Sequence, residues 1–181
     1  MKKKIFLDLD ETLIHAKYAG RVDSLQAAEP VTLHPTIGVL QTSIVCKFHN
    51  GFDDEHELYR AYLRPNAVEF IQSVQNEFGK ENVYILTRAV TDYAEKFARA
   101  FNFGIEDEKI YAREIIPQCM EPQEGFHAVL VDNLPGRQCE DKTSFLKRSM
   151  FSKVSTIQVR EFYGRKDNVL SDYLLEKIRS I

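Results

Sequence analysis

Cysteine is scarce in this chain, with three among 181 residues. Cys46, Cys119 and Cys139 form no Cys-x-x-Cys pair. Neither a disulfide framework nor a zinc knuckle is indicated, and a reducing, cytoplasmic location is expected. Long apolar runs are also missing. Met1-Lys2-Lys3-Lys4 followed by Ile5-Phe6-Leu7 begins like a secretion signal, but Asp8 and Asp10 break the run too early for one. No other window approaches a membrane span, so no membrane partner is expected. There is little charge imbalance: the formal net charge of -3 argues against a general nucleic-acid footprint. His34, His49, His56 and His127 lack metal-ligand spacing. Internal repeats and low-complexity segments are absent as well.

What is present is ordinary for a globular protein, with 44% apolar and 28% charged residues. A chain of 181 residues can bury a core without covalent staples, and one domain over residues 1–181 is expected. The most specific stretch lies near the start. Lys4-Ile5-Phe6-Leu7 reads as a buried strand running directly into Asp8-Leu9-Asp10-Glu11-Thr12. Open α/β sheets build their sites at such carboxyl ends.

Beyond this strand, residues 16 to 30 read as loop. Val31 to Leu33, Thr42 to Phe48 and Glu57 to Leu63 read as strands of a small antiparallel sheet inserted over residues 31–63. Pro65 suits a first helical turn, and Val68, Ile71, Val74 and Phe78 mark a helix over 65–78. Strands are expected at 82–87, 109–113, 128–133 and 155–159. Helices are expected near 93–101, in a mixed stretch over 140–150, and at the C-terminus around Leu170, Leu174, Leu175 and Ile178. Alternating strands and helices predict a mostly parallel sheet covered on both faces.

Three of these strands end in chemistry: Asp8 with Asp10, Thr87, and Asp132 with Asn133. A parallel sheet gathers such ends at one edge. Hard oxygen ligands suit Mg²⁺, which uses one or two carboxylates together with water and a substrate phosphate. An aspartate can attack phosphorus and form an aspartyl-phosphate, while a second carboxyl carries the proton.

Asp8-Leu9-Asp10-Glu11-Thr12-Leu13 resembles the first motif of the haloacid dehalogenase-like phosphohydrolases. With Ile14-His15 it resembles the branch that dephosphorylates the RNA polymerase II C-terminal domain. Ile85-Leu86-Thr87 is similar to the second motif and Asp132-Asn133-Leu134-Pro135 to the branch's metal-binding motif. Tyr62-Leu63-Arg64-Pro65 resembles its Arg-Pro stretch. The resemblance implies a three-layer, Rossmann-like α/β/α core with a small β insertion after the first strand. It implies a Mg²⁺-dependent phosphomonoester hydrolase with Asp8 as nucleophile and Asp10 as general acid/base. Thr87 is then a phosphate contact, with Arg88 and Arg113 as further candidates, and Asp8, Asp10, Asp132 and Asn133 serve the metal. The expected partner is a phosphorylated substrate: a protein, a nucleotide, a nucleic-acid terminus or a small molecule. The alternatives are a phosphate-binding module of the same fold and a phosphotransferase. One element departs from the pattern: the family's third-motif lysine is expected before the Asp132 strand, yet residues 114–131 contain no Lys or Arg. Arg113, Lys109, Arg88 and Lys142 are the candidates for its charge.

Overall fold

The computed structural model of the protein describes residues 1–23, 34–35, 42–49, 55–164 and 167–181. Strand β1, Lys2–Leu7, is apolar on both sides because both sides are covered: Ile5 and Leu7 enter one core and Phe6 another. It lies centrally in a five-stranded sheet of order β7-β6-β1-β8-β9 among the described residues. The other strands are β6 (Val83–Leu86), β7 (Ile110–Tyr111), β8 (Phe126–Asp132) and β9 (Lys153–Gln158). Every pairing in this sheet is parallel. Helices α1 (Ala67–Phe78), α2 (Thr91–Ala100) and α4 (Asp172–Ser180) pack apolar stripes into the core shared with Ile5 and Leu7. Helix α3 (Glu140–Arg148) covers the opposite face through Phe145 and Leu146. The expected parallel sheet with helices on both faces is therefore present.

A second, antiparallel sheet of order β2-β5-β4-β3 follows β1 directly, built from Ile14–Asp23, Glu55–Leu63, Thr42–His49 and His34–Pro35. Its start corrects the sequence reading. Residues 16 to 23 are not loop but part of the ten-residue β2, which pairs with β5 from Ile14↔Leu63 to Asp23↔Glu55. The register shifts between Tyr18 and Gly20, where Gly20 adopts φ 134. A bulge of this kind interrupts the period-two pattern by which a strand is recognised. The antiparallel sheet thus begins at Ile14 rather than at residue 31. The strand expected at Val31 to Leu33 lies outside the described residues.

Smaller corrections concern element ends. Helix α1 begins at Ala67, not Pro65, because Asn66 sits at its start in the left-handed conformation with φ 62, which asparagine tolerates better than most residues. The strand expected over 109–113 shortens to Ile110–Tyr111, since Asp107–Lys109 closes into a 3₁₀ turn. The closing helix starts at Asp172, after Leu170.

Candidate active site

Register alone brings two carboxylates together. Leu7 stands beside Val131 in the β1–β8 pairing, and the Asp8 N–H donates to the Val131 carbonyl at 2.9 Å. Asp8 and Asp132 therefore leave the sheet side by side, on the face that α3 covers. Both are buried, at 4% and 0% exposure. Between them lies Lys142 of α3, itself 1% exposed. Its Nζ donates to Asp8 Oδ1 at 2.5 Å and to Asp132 Oδ2 at 2.8 Å. The second Asp132 oxygen accepts the Leu134 N–H at 2.8 Å, and Asp8 Oδ2 accepts the Thr12 hydroxyl at 2.8 Å.

Two buried carboxylates thus share one ammonium. Burial pushes the Asp8 carboxyl up to about 7, with the Lys142 charge opposing and the Asp132 charge reinforcing the rise. Burial works against the Lys142 charge too, but Asp8 and Asp132 outweigh it and hold the amine above its ordinary value.

Lys142 supplies a cation where the third motif lacks one, from a position after the Asp132 strand rather than before it. Sequence reasoning named it only as one candidate among four. A signal was present: Cys139, Lys142, Phe145 and Leu146 fall at helical steps and all four are buried. A lysine on a core-facing stripe needs a buried partner. Lys109 and Arg113 do not reach Asp8: the first pairs with Glu106, and the second is exposed, its N–H bonded to the Ala89 carbonyl. Arg88 is exposed and paired with Asp141 at 2.7 Å, one residue before Lys142. Thr87 is buried at the end of β6, where its N–H reaches the Tyr111 carbonyl and its hydroxyl accepts the Ala89 N–H.

The loop after β1 is wound tightly. The Leu9 carbonyl accepts N–H groups from Leu13 and Ile14 at 2.8 and 3.1 Å, and Glu11 takes φ 60. Arg64, with 0% exposure, braces this turn. It donates to the Thr12 carbonyl at 2.9 Å and the Arg160 carbonyl at 2.6 Å, and holds Asp167 through Nε and a second nitrogen. The Arg-Pro stretch therefore ties the aspartate loop to the segment after β9. His15 bonds Glu11 through Nδ1 at 2.8 Å. Asp10 is partly buried, which raises its pKa, while a hydrogen bond from Tyr93 at 2.6 Å works the other way.

The Asn133 amide tests whether a cation fits. The end of this amide that points into the site stands 3.1 Å from Asp8 Oδ2 and 3.2 Å from the Asp10 carbonyl oxygen. With nitrogen inward, the amide donates to both. With oxygen inward, a carboxylate, a carbonyl and an amide oxygen converge, which is a donor set for a hard divalent cation such as Mg²⁺. When Asp8 is ionised, two carboxylates face the one Lys142 ammonium, and that arrangement favours a further cation here. Among the described residues no three His, Cys, Asp or Glu side chains cluster for metal binding, so the carbonyl and the amide are needed to complete such a site. A cavity of about 540 Å³ adjoins Asn133, lined by Pro135, Gln158, Phe162 and Tyr163 among others. Arg160, after β9, also lines this cavity.

A parallel sheet flanked by helices, an antiparallel sheet inserted after its central strand, and paired aspartates at that strand's end define a haloacid dehalogenase-type phosphatase. The chain belongs to the NLI interacting factor-like phosphatase family, whose model matches residues 3–181. Its fold is similar to that of Fcp1, described as an essential RNA polymerase II CTD phosphatase, at 15% identity and a TM-score of 0.54. That match covers 99% of this chain and 48% of the other. A second similar structure is a fission yeast RNA polymerase II CTD phosphatase Fcp1 variant bound to beryllium fluoride, at 14% identity and a TM-score of 0.48. It covers 99% of this chain and 50% of that one. The chain thus spans about half the length of these Fcp1 chains. No curated protein sequence matches it. Among the described residues, no helix is long and apolar enough to cross a membrane.

Proposed function

We propose that this phosphatase hydrolyses phosphomonoesters through a phosphoryl intermediate on Asp8. The observation that carries the reading is the Asp8 carboxylate itself: Oδ1 is held by Lys142 at 2.5 Å and Oδ2 by Thr12 at 2.8 Å, with a second aspartate two positions on. One Asp8 oxygen attacks phosphorus as the bond to the leaving oxygen breaks, and Asp10 delivers its proton to that oxygen. Asp10 then takes a proton from water as the water oxygen bonds phosphorus and the Asp8–phosphorus bond breaks. Lys142 faces the charge that moves onto Asp8 and the phosphoryl oxygens, as a fixed and buried cation. Thr87 is the proposed phosphoryl contact, and Arg88 and Arg113, exposed after β6 and β7, are proposed rim cations for the substrate phosphate.

Asp8, the Asp10 carbonyl and Asn133, backed by Asp132, are the proposed holders of Mg²⁺. When bound, this ion neutralises phosphate charge and keeps Asp8 ionised. The alternative, a phosphate-binding module without turnover, rests on a missing cation beside Asp8, and the Lys142 contact to Asp8 supports turnover instead. The site as drawn recognises a phosphoryl group, so a phosphorylated protein, nucleotide or nucleic-acid terminus are all admissible substrates.

The test is hydrolysis of an aryl phosphate by the parent and by Asp8→Asn, with Mg²⁺ and with chelator. Turnover is expected only for the parent with Mg²⁺. Activity that survives the substitution or ignores chelation overturns the mechanism.

A further inference from the structure

Asp10 is held by a residue that the reading above does not use. The Tyr93 hydroxyl, one turn into α2, donates to Asp10 Oδ1 at 2.6 Å across 83 positions of sequence. We infer that Tyr93 is a positioning residue that divides the labour of the two Asp10 oxygens: it occupies Oδ1 throughout turnover, so that the transferable proton resides on Oδ2 and faces the leaving group. This inference rests on Asp10 acting as the acid and base.

The geometry supports a fixed donor. The Tyr93 ring is enclosed by Phe97 of its own helix at 4.7 Å, Phe48 of β4 at 5.3 Å and Tyr59 of β5 at 5.9 Å. Rings from the antiparallel sheet and from the helical layer thus clamp it on several sides, and its hydroxyl cannot swing away without repacking that cluster. A donor on Oδ1 serves both states of the carboxyl. When Asp10 is protonated, Oδ1 is the carbonyl-type acceptor and Oδ2 carries the hydrogen. When Asp10 is ionised, the same bond stops the carboxylate from turning its free oxygen away from the incoming water. In the first step the Oδ2 proton passes to the ester oxygen as its bond to phosphorus breaks. In the second, Oδ2 recovers a proton from the attacking water. Tyr93 neither gains nor loses one.

Such a role predicts a dependence on the leaving group. A good leaving group such as p-nitrophenolate needs little protonation, whereas an alkoxide such as that of phosphoserine needs nearly complete protonation. The ratio kcat/KM reports the steps up to loss of the leaving group and is the quantity to compare.

The experiment measures kcat/KM of the parent, Tyr93→Phe and Asp10→Asn, each with Mg²⁺, on p-nitrophenyl phosphate, phenyl phosphate and O-phosphoserine. Tyr93→Phe keeps the ring and its packing, and a thermal midpoint close to the parent's verifies that. The expected result is a loss of about tenfold or more on phosphoserine against roughly twofold on p-nitrophenyl phosphate, a fraction of what general acids contribute. For Asp10→Asn the same slope is expected, only steeper. A Tyr93→Phe loss that is equal on all three substrates, or absent on all, while Asp10→Asn shows the slope, overturns the inference and leaves the mechanism standing. An Asp10→Asn variant without the slope overturns the acid assignment beneath both.

Discussion

Lys142 Nζ lies 2.5 Å from Asp8 Oδ1, although 134 positions of sequence separate the two residues. That contact, doubled by the one to Asp132, organises the charge of the whole site. It also decides what several substitutions do.

Lys142→Met removes the ammonium and keeps much of the stem. Turnover of an aryl phosphate is expected to fall by about 10²–10³, the scale on which a single fixed electrostatic group contributes. Steady-state kinetics at saturating Mg²⁺ check this. A loss of only a few-fold would remove Lys142 from the machinery.

The raised Asp8 pKa makes metal-free stability depend on pH. Because burial holds this carboxyl at about 7, above the ordinary value of 3.8, the folded chain binds a proton there more tightly than the unfolded chain between those values. Its contribution to stability therefore falls as pH rises through that window. Asp8→Asn is expected to unfold at a higher temperature than the parent at pH 8, with the gap closing toward pH 4. Calorimetry in chelator over that range measures it.

Mg²⁺ binding has a readout that needs no substrate. A ligand that binds only the folded chain stabilises it in proportion to the logarithm of its concentration over its Kd. The parent's thermal midpoint is expected to climb with added Mg²⁺. Asn133→Ala should require a much higher concentration for the same rise. Equal responses in the two proteins would place the ion elsewhere.

Arg64 gives a purely structural prediction. It is fully buried and pairs with Asp167, whose side chain is 6% exposed, while also holding the Thr12 and Arg160 carbonyls. Arg64→Ala leaves the buried Asp167 carboxylate without its cation, keeping the Val169 N–H, and the Thr12 and Arg160 carbonyls without the Arg64 donor. A loss of about 3–5 kcal/mol is expected in denaturant titrations, the usual cost of breaking a buried pair from one side. The exposed Arg88–Asp141 pair is the contrast: Arg88→Ala is expected to change stability by about 1 kcal/mol or less.

Local pattern carried much of this molecule. The apolar run Ile5 to Leu7, the runs at Val83 and Ala128, and the carboxylates that end β1 and β8 are legible because a strand buried on both faces has a composition of its own. With parallel strands inferred, the gathering of Asp8, Thr87, Asp132 and Asn133 at one edge follows from topology alone. Where a bulge broke the alternation, as at Tyr18 and Gly20, the same reasoning took a strand for a loop.

Tertiary structure decided the rest, and in each case through side chains whose partners are remote. Nothing near Lys142 in sequence says that it must neutralise Asp8. Only the packing of Phe145 and Leu146 onto the Phe6 face swings that turn of α3 over the carboxylates. Tyr93 reads as one more aromatic on an amphipathic helix until the antiparallel sheet folds over it and leaves its hydroxyl facing Asp10. Sequence fixes which groups end the strands, because strand periodicity is local. Which cation and which donor meet them depends on how helices and sheets pack, and that is a property of the whole core.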